Sequence, residues 1–140
     1  MLYMLDTNIC AYIIRNKPEY IKEKLQIIEK NHEIALSSIV VSELLYGAKK
    51  KESIKLSKIV NSFIDNFIMY DFDKIAANEY AMIRNILEKQ GNIIGSNDLF
   101  IAAHAKSLNA VLVTNNTKEF ERVSGLKTEN WVRQVYEKKS

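Results

Sequence analysis

The sequence predicts an α/β fold in which a central, mostly parallel β-sheet is flanked by α-helices. Short apolar runs, "LYML" at 2–5, "EIAL" at 33–36 and "AVLVT" at 110–114, alternate with longer stretches of helical periodicity. That alternation suits a parallel sheet covered on both faces. With 140 residues, 47% of them hydrophobic, 26% charged and a single proline, the chain has the size and composition of one globular domain over residues 1–140.

Each element has a local reason. The run 2–5 reads as a buried strand ending at Asp6, and a helix is expected over 8–15. Pro18 suits the first position of a second helix, in which Ile21, Leu25 and Ile28 repeat at helical spacing. After the strand 33–36, Ser38 is placed to cap a helix that carries Glu43 and stops near Gly47. Leu56, Val60, Phe63 and Phe67 mark the next amphipathic helix, and "FIMYDF" at 67–72 is a strand candidate with helical character. Asp73 caps a helix with Ala76, Tyr80, Ile83 and Leu87 on one face and Gly91 as its stop. Asn97 is read as the cap of a further helix, with Ile101, Ala102, Ala105 and Leu108 inward and Asn109 as its stop. The strand 110–114 is the last one expected.

Composition excludes several classes. A lone cysteine, Cys10, permits no internal disulfide and fits a reducing compartment. Together with two histidines, His32 and His104, it is too little for a structural zinc site. "MLYMLDTN" has no basic leader region and no run approaches 18 apolar residues, so the expected setting is cytoplasmic, with no membrane attachment. A net charge of +3 permits contact with nucleic acid without demanding it, and "KKKESIKLSK" at 49–58 reads first as a solvated helix face.

Three acids stand out. Asp6 ends the first strand, Glu43 sits among apolar residues in "SSIVVSELLYG", and Asp98 opens the helix of "GSNDLFIAAHA". Structural roles are open to each, as cap, first-turn acid or paired carboxylate. Ligands of parallel α/β folds bind beyond the carboxyl ends of the strands, so Asp6 and the "TNNT" turn after 110–114 can share one rim. If the acids meet, two charges about 4 Å apart cost roughly 4 kcal/mol at an effective dielectric near 20, and a cation is required. An oxygen-only donor set selects Mg²⁺ or Mn²⁺.

Other chemistries fit less well. An aspartyl-phosphate loop needs an acid two residues after Asp6, where Asn8 stands, and a phosphate-receiving domain needs paired acids after the first strand. There is no glycine-rich phosphate loop, and Cys10 shows no nucleophile–base spacing with either histidine. His104 lies off the apolar face of its helix and is expected at the surface or rim.

Taken together, "MLDTN", "SSIVVSELLYGA", "IGSNDLFIAAHA" and "VLVTNNTKEF" with its following "ENW" resemble the PIN-domain toxins of the VapC family, in order and over nearly the whole chain. The resemblance implies a PIN fold and a Mg²⁺-dependent endoribonuclease acting on structured RNA such as tRNA, with Mn²⁺ as a substitute ion. It also implies a VapB-type antitoxin, a homodimer, and a hetero-oligomer with the antitoxin that binds operator DNA. Residue by residue, Asp6, Glu43 and Asp98 fall on the family's acidic triad. Many PIN domains carry an aspartate where this chain has Asn116, whereas a similar subset offers the glutamate of "KEF", here Glu119. On this reading Asp6 and Asp98 bind the ion directly, and Glu43 and Glu119 act directly or through water. Thr7, Asn8, Thr114 and Asn116 are candidate neighbours that orient the carboxylates, although Thr114 equally suits a hydroxyl bonding backbone at a strand end. Glu119 has a second reading as the acid of a capping box begun by Asn116. The alternative function is a catalytically inactive PIN-fold module that binds nucleic acid or a partner. Tyr46 and the lysine run at 49–58 are candidates for part of an RNA groove.

Overall fold

The structure is a computed structural model and describes residues 1–133. Five strands, β1 (Leu2–Leu5), β2 (Glu33–Ser37), β3 (Ile68–Tyr70), β4 (Val111–Val113) and β5 (Lys127–Glu129), form one sheet in the order β3-β2-β1-β4-β5. Every pairing is parallel. The chain winds outward from β1 in one direction through β2 and β3, and in the other through β4 and β5. The strand order therefore reverses at β1/β4, where a crevice opens beyond the strand ends.

Seven helices connect and cover the sheet: α1 (Thr7–Arg15), α2 (Glu19–Ile28), α3 (Ser38–Lys50), α4 (Ile54–Asp65), α5 (Lys74–Lys89), α6 (Ser96–Ser107) and the short α7 (Thr117–Phe120). The central strands are buried beyond their first residues, with Leu5, Leu36, Leu112 and Val113 among the least exposed side chains. Ile9, Ile21, Leu87, Ala102 and Phe120 close over them from the helices. The helix α5 lies along α6, fixed by Tyr80 stacking on Phe100 at 4.3 Å between ring centroids. No helix among the described residues is long and apolar enough to cross a membrane.

The expected elements are present with shifted ends. The cap of α3 is Ser37, whose hydroxyl accepts from Ile39 N–H at 3.0 Å, while the hydroxyl of Ser38 accepts from Phe72 N–H at 3.0 Å. The same helix runs past Gly47 to Lys50, since Ala48, Lys49 and Lys50 favour continuation. Pro18 stands just before α2 rather than inside it, and Phe67 lies beyond the end of α4. Gly95, not Asn97, occupies the cap position of α6. The strand β5 had no apolar signal: "KTE" is a half-buried edge strand held by its ladder to β4.

His104 is the largest departure, because it is buried at 1% exposure rather than at the rim. Its Nδ1 lies 2.7 Å from Ser37 Oγ, its other face meets Phe72, and the Asp71 backbone accepts from the ring. With that donation made from Nε2, Nδ1 accepts the Ser37 proton and the ring is neutral, as its burial favours by holding its pKa down. The bond joins the start of α3 to α6, the two helices that carry Glu43 and Asp98. Ser37→Ala should therefore cost about 1–3 kcal/mol in urea unfolding, through the lost cap and an unsatisfied buried ring nitrogen. A loss under about 0.5 kcal/mol would show that this contact stabilises nothing.

Candidate active site

Asp6 follows β1 directly and caps α1, its Oδ1 accepting from Ile9 N–H at 3.0 Å. The hydroxyl of Thr114, at the end of β4, donates to the same carboxylate. Thr114 thus donates to an acid and also accepts from Asn116 N–H at 2.9 Å. Asp6 is 5% exposed. Burial pushes its pKa up, the Thr114 and Ile9 bonds pull it down, and the charge of Glu43 raises it again.

Glu43 comes from the middle of α3 and is gripped at both oxygens. Thr7 donates its hydroxyl to Oε1, and Asn97 donates its amide to Oε2 at 2.5 Å. The role of Asn97 was not foreseen, since it had been expected to cap a helix. Adjacency to Asp98 was the only signal that could have drawn attention to it.

Asp98 stands in the first turn of α6, and Glu119 arrives from α7 to meet it. Both carboxylates close around Gly95: a Cβ built there would lie 3.8 Å from Asp98 Oδ2 and 3.9 Å from Glu119 Oε2. Glu119 accepts from Gly95 N–H at 3.0 Å and from the Asn116 side-chain amide at 2.5 Å. The capping-box geometry is absent, because Asn116 makes no side-chain cap bond and gives its own N–H to Thr114. Glu119 is turned into the site instead. Nothing in the sequence announced the contact between Gly95 and Glu119, which are 24 residues apart.

The electrostatics follow from this crowding. Burial first, then a hydrogen bond to Glu119 and the charges of Glu119, Asp6 and Glu43, push the pKa of Asp98 up to about 7. For Glu119 burial works upward but is outweighed by the Gly95 N–H, the shared Asp98 proton, Arg122 and Asn116, so its pKa is held low. Asp98 rather than Glu119 is the member of the pair that holds a proton below about pH 7.

Asp6, Thr7, Asn8, Glu43, Asn97 and Asp98 line a cleft of about 380 Å³, with Tyr46 and Ile101 completing it. Its charged donors are all oxygen, the chemistry of a Mg²⁺ or Mn²⁺ site. No three acids, histidines or cysteines among the described residues are gathered into an ion-holding group as they stand. Each carboxylate is turned to a protein donor or to a shared proton. Asp6, Glu43 and Asp98 line the cleft and Glu119 bonds to Asp98, so the donor set suits such an ion in kind. A larger cleft of about 790 Å³ between α3 and α4 shares none of these residues, although Lys49 and Lys58 of the lysine run line it. The run itself is exposed to solvent.

A PIN domain family model matches residues 3–126. The chain is 46% identical over 132 residues to ribonuclease VapC2 of Rickettsia felis, covering 94% of this chain and 98% of the relative. It is 40% identical over 130 residues to the tRNA(fMet)-specific endonuclease VapC of Shigella flexneri, covering 92% and 97%. Among solved structures, VapBC2 of Rickettsia felis bound to a promoter DNA fragment superposes with a TM-score of 0.89 at 44% identity, covering 94% of this chain and 100% of that one. DNA-bound VapBC of Salmonella typhimurium gives 0.85 at 40% identity, covering 94% and 100%. The chain belongs to the VapC ribonucleases of the PIN-domain family.

Proposed function

We propose that this chain is a Mg²⁺-dependent endoribonuclease, the toxin of a type II toxin–antitoxin pair, and that it hydrolyses phosphodiester bonds in structured RNA such as tRNA. The observation that supports this most is the meeting of four carboxylates from four separate elements at the sheet's switch point, with one forced to keep a proton to about pH 7. Such a cluster is costly to the fold and suited to a divalent cation.

Asp6 and Asp98 would hold the ion, with Glu43 and Glu119 completing its shell directly or through water. Bound Mg²⁺, or Mn²⁺ in its place, supplies Lewis-acid activation of water and of the phosphoryl oxygens. The protein's share is orientation: Thr114 and Ile9 N–H fix Asp6, Thr7 and Asn97 fix Glu43, and Gly95 N–H and Asn116 fix Glu119. Relatives found as VapBC complexes on DNA support a VapB-type antitoxin as partner and a hetero-oligomer that binds operator DNA; a toxin homodimer within it is part of the same proposal. The setting is cytoplasmic.

Cleavage of total tRNA by purified protein tests the reading. Activity should require Mg²⁺ or Mn²⁺ and vanish in EDTA. Asp98→Asn should lower it more than about 100-fold, a loss of several kcal/mol of transition-state stabilisation. Glu119→Gln keeps an acceptor for Gly95 N–H but loses the charge, so it should stay folded and lose most of the Mg²⁺-dependent rate. Wild-type speed in Glu119→Gln would remove Glu119 from the site. Absence of any metal-dependent cleavage by the wild type would favour the inactive binding module.

Metal-free stability supplies an independent test. A pKa raised in the folded state gives stability that is complete below the unfolded value of about 4 and is lost as pH rises through about 7. In EDTA the stability of wild type relative to Asp98→Asn should therefore fall between pH 5 and pH 8. The comparison cancels the opposite trend from His104, whose depressed pKa costs stability as pH falls below about 6.5. Millimolar Mg²⁺ at pH 8 should raise the Tm of wild type and not of Asp98→Asn. Equal Mg²⁺ shifts, or a pH-independent difference, would place Asp98 outside the cluster.

A further inference from the structure

We propose that Tyr46 and the cleft beside it form a subsite for one nucleobase of the RNA, next to the phosphate that is cut; this rests on the nuclease reading above. Tyr46 follows Glu43 by three residues on α3, so the two side chains share a helix face. It is 66% exposed, although a ring of that size is usually at least half covered. A second cleft of about 340 Å³ is lined by Ile39, Ser42, Glu43, Tyr46, Asn97 and Phe100. Glu43, Tyr46 and Asn97 also line the carboxylate cleft, so the two spaces are continuous across a shared wall.

The chemistry of the second cleft differs from that of the first. Ile39 and Phe100 give it an apolar floor, and Phe100 is held rigidly by the stack on Tyr80 and an edge contact with Phe72 at 5.4 Å. The single charge on its wall is the Glu43 carboxylate, which would repel a phosphate. What suits the space is flat, uncharged and polar only at its rim, which describes a nucleobase. Asn97 gives one amide proton to Glu43, which leaves its second proton and Oδ1 for the polar edge of a base. Single-stranded segments of structured RNA present splayed bases, and exposed aromatic rings are what such bases stack on. With a phosphate in the carboxylate cleft, the base of an adjoining nucleotide is carried toward Tyr46.

Steady-state kinetics on total tRNA test this first. Tyr46→Ala and Tyr46→Leu should raise KM about 10- to 100-fold, the range for loss of one stacked base, with the effect falling on KM rather than kcat. Tyr46→Phe and Tyr46→Trp should retain the wild-type KM. Leucine separates stacking from simple apolar cover, so a wild-type KM in Tyr46→Leu would overturn the proposal. So would a loss in Tyr46→Ala that accompanies dissociation of an oligomer in sedimentation, since Tyr46 would then serve a protein contact. A second arm does not need cleavage. A single-stranded RNA decamer carrying 2-aminopurine should change fluorescence on binding wild-type and Tyr46→Phe protein, and not on binding Tyr46→Leu. An equal response from all three would overturn the subsite even if every RNA cut succeeded. A clear difference with no cut would support the subsite while removing the nuclease reading.

Discussion

Everything at the switch point is organised around mutual repulsion between carboxylates. Four acids are brought to one rim in a partly desolvated crevice, and the fold tolerates them because three have donors and the fourth keeps a proton. Asp6 has Thr114 and the first turn of α1, Glu43 has Thr7 and Asn97, and Glu119 has Gly95 and Asn116. Asp98 has no protein donor of comparable strength and keeps a proton, shared with Glu119. The residues around the acids are therefore as much a part of the site as the acids are. Removing the donor of buried Asp6 leaves a desolvated charge unpaired, which costs more than the hydrogen bond itself.

The rest of the fold serves to hold these spacings. Asp6 and Thr114 end adjacent strands, and Asp6 N–H donates to Val113 C=O at 3.0 Å, so their relation is set by backbone. Glu43 and Asp98 ride on separate helices and need a different fixture. The buried Ser37–His104 contact supplies one at the base of those helices, and the aromatic cluster of Phe72, Tyr80 and Phe100 steadies α6 against α5. A polar bond in a core specifies one arrangement because the alternatives leave a buried donor or acceptor unpaired. That places His104 in the architecture of the site without touching its chemistry.

The legible part of the sequence was the part with local signatures. Alternating apolar runs and helical periodicity announced four of the five strands and the six longer helices. Asp6, Glu43 and Asp98 announced themselves as acids in apolar surroundings. What stayed hidden depends on contacts between distant residues. "KTE" is a strand only because β4 offers it a ladder, and its polarity gave no hint. His104 looked peripheral because helical periodicity assigns polar residues to the solvent face, and a partner 67 residues away reversed that assignment. Asn97 had a plausible local role as a cap and Gly95 had none, and only the tertiary fold turned their donors toward Glu43 and Glu119.

Glu119 shows how one short turn can serve both structure and site. Asn116 stands where an aspartate would reach the cluster directly from the end of β4. In this chain its amide donates to the glutamate three residues on, and the longer side chain spans the gap. A carboxylate reaching the site from α7 approaches from the side of Gly95, whose backbone N–H donates to it at 3.0 Å. The substitution therefore rests on two donors that reach the glutamate at 119 together: the side-chain amide at 116 and the backbone N–H at 95. Changing the acid's position alone would strand its charge without donors. This dependence explains why the crevice accepts a fourth carboxylate from a four-residue helix, an element too short to fix a side chain by its own packing.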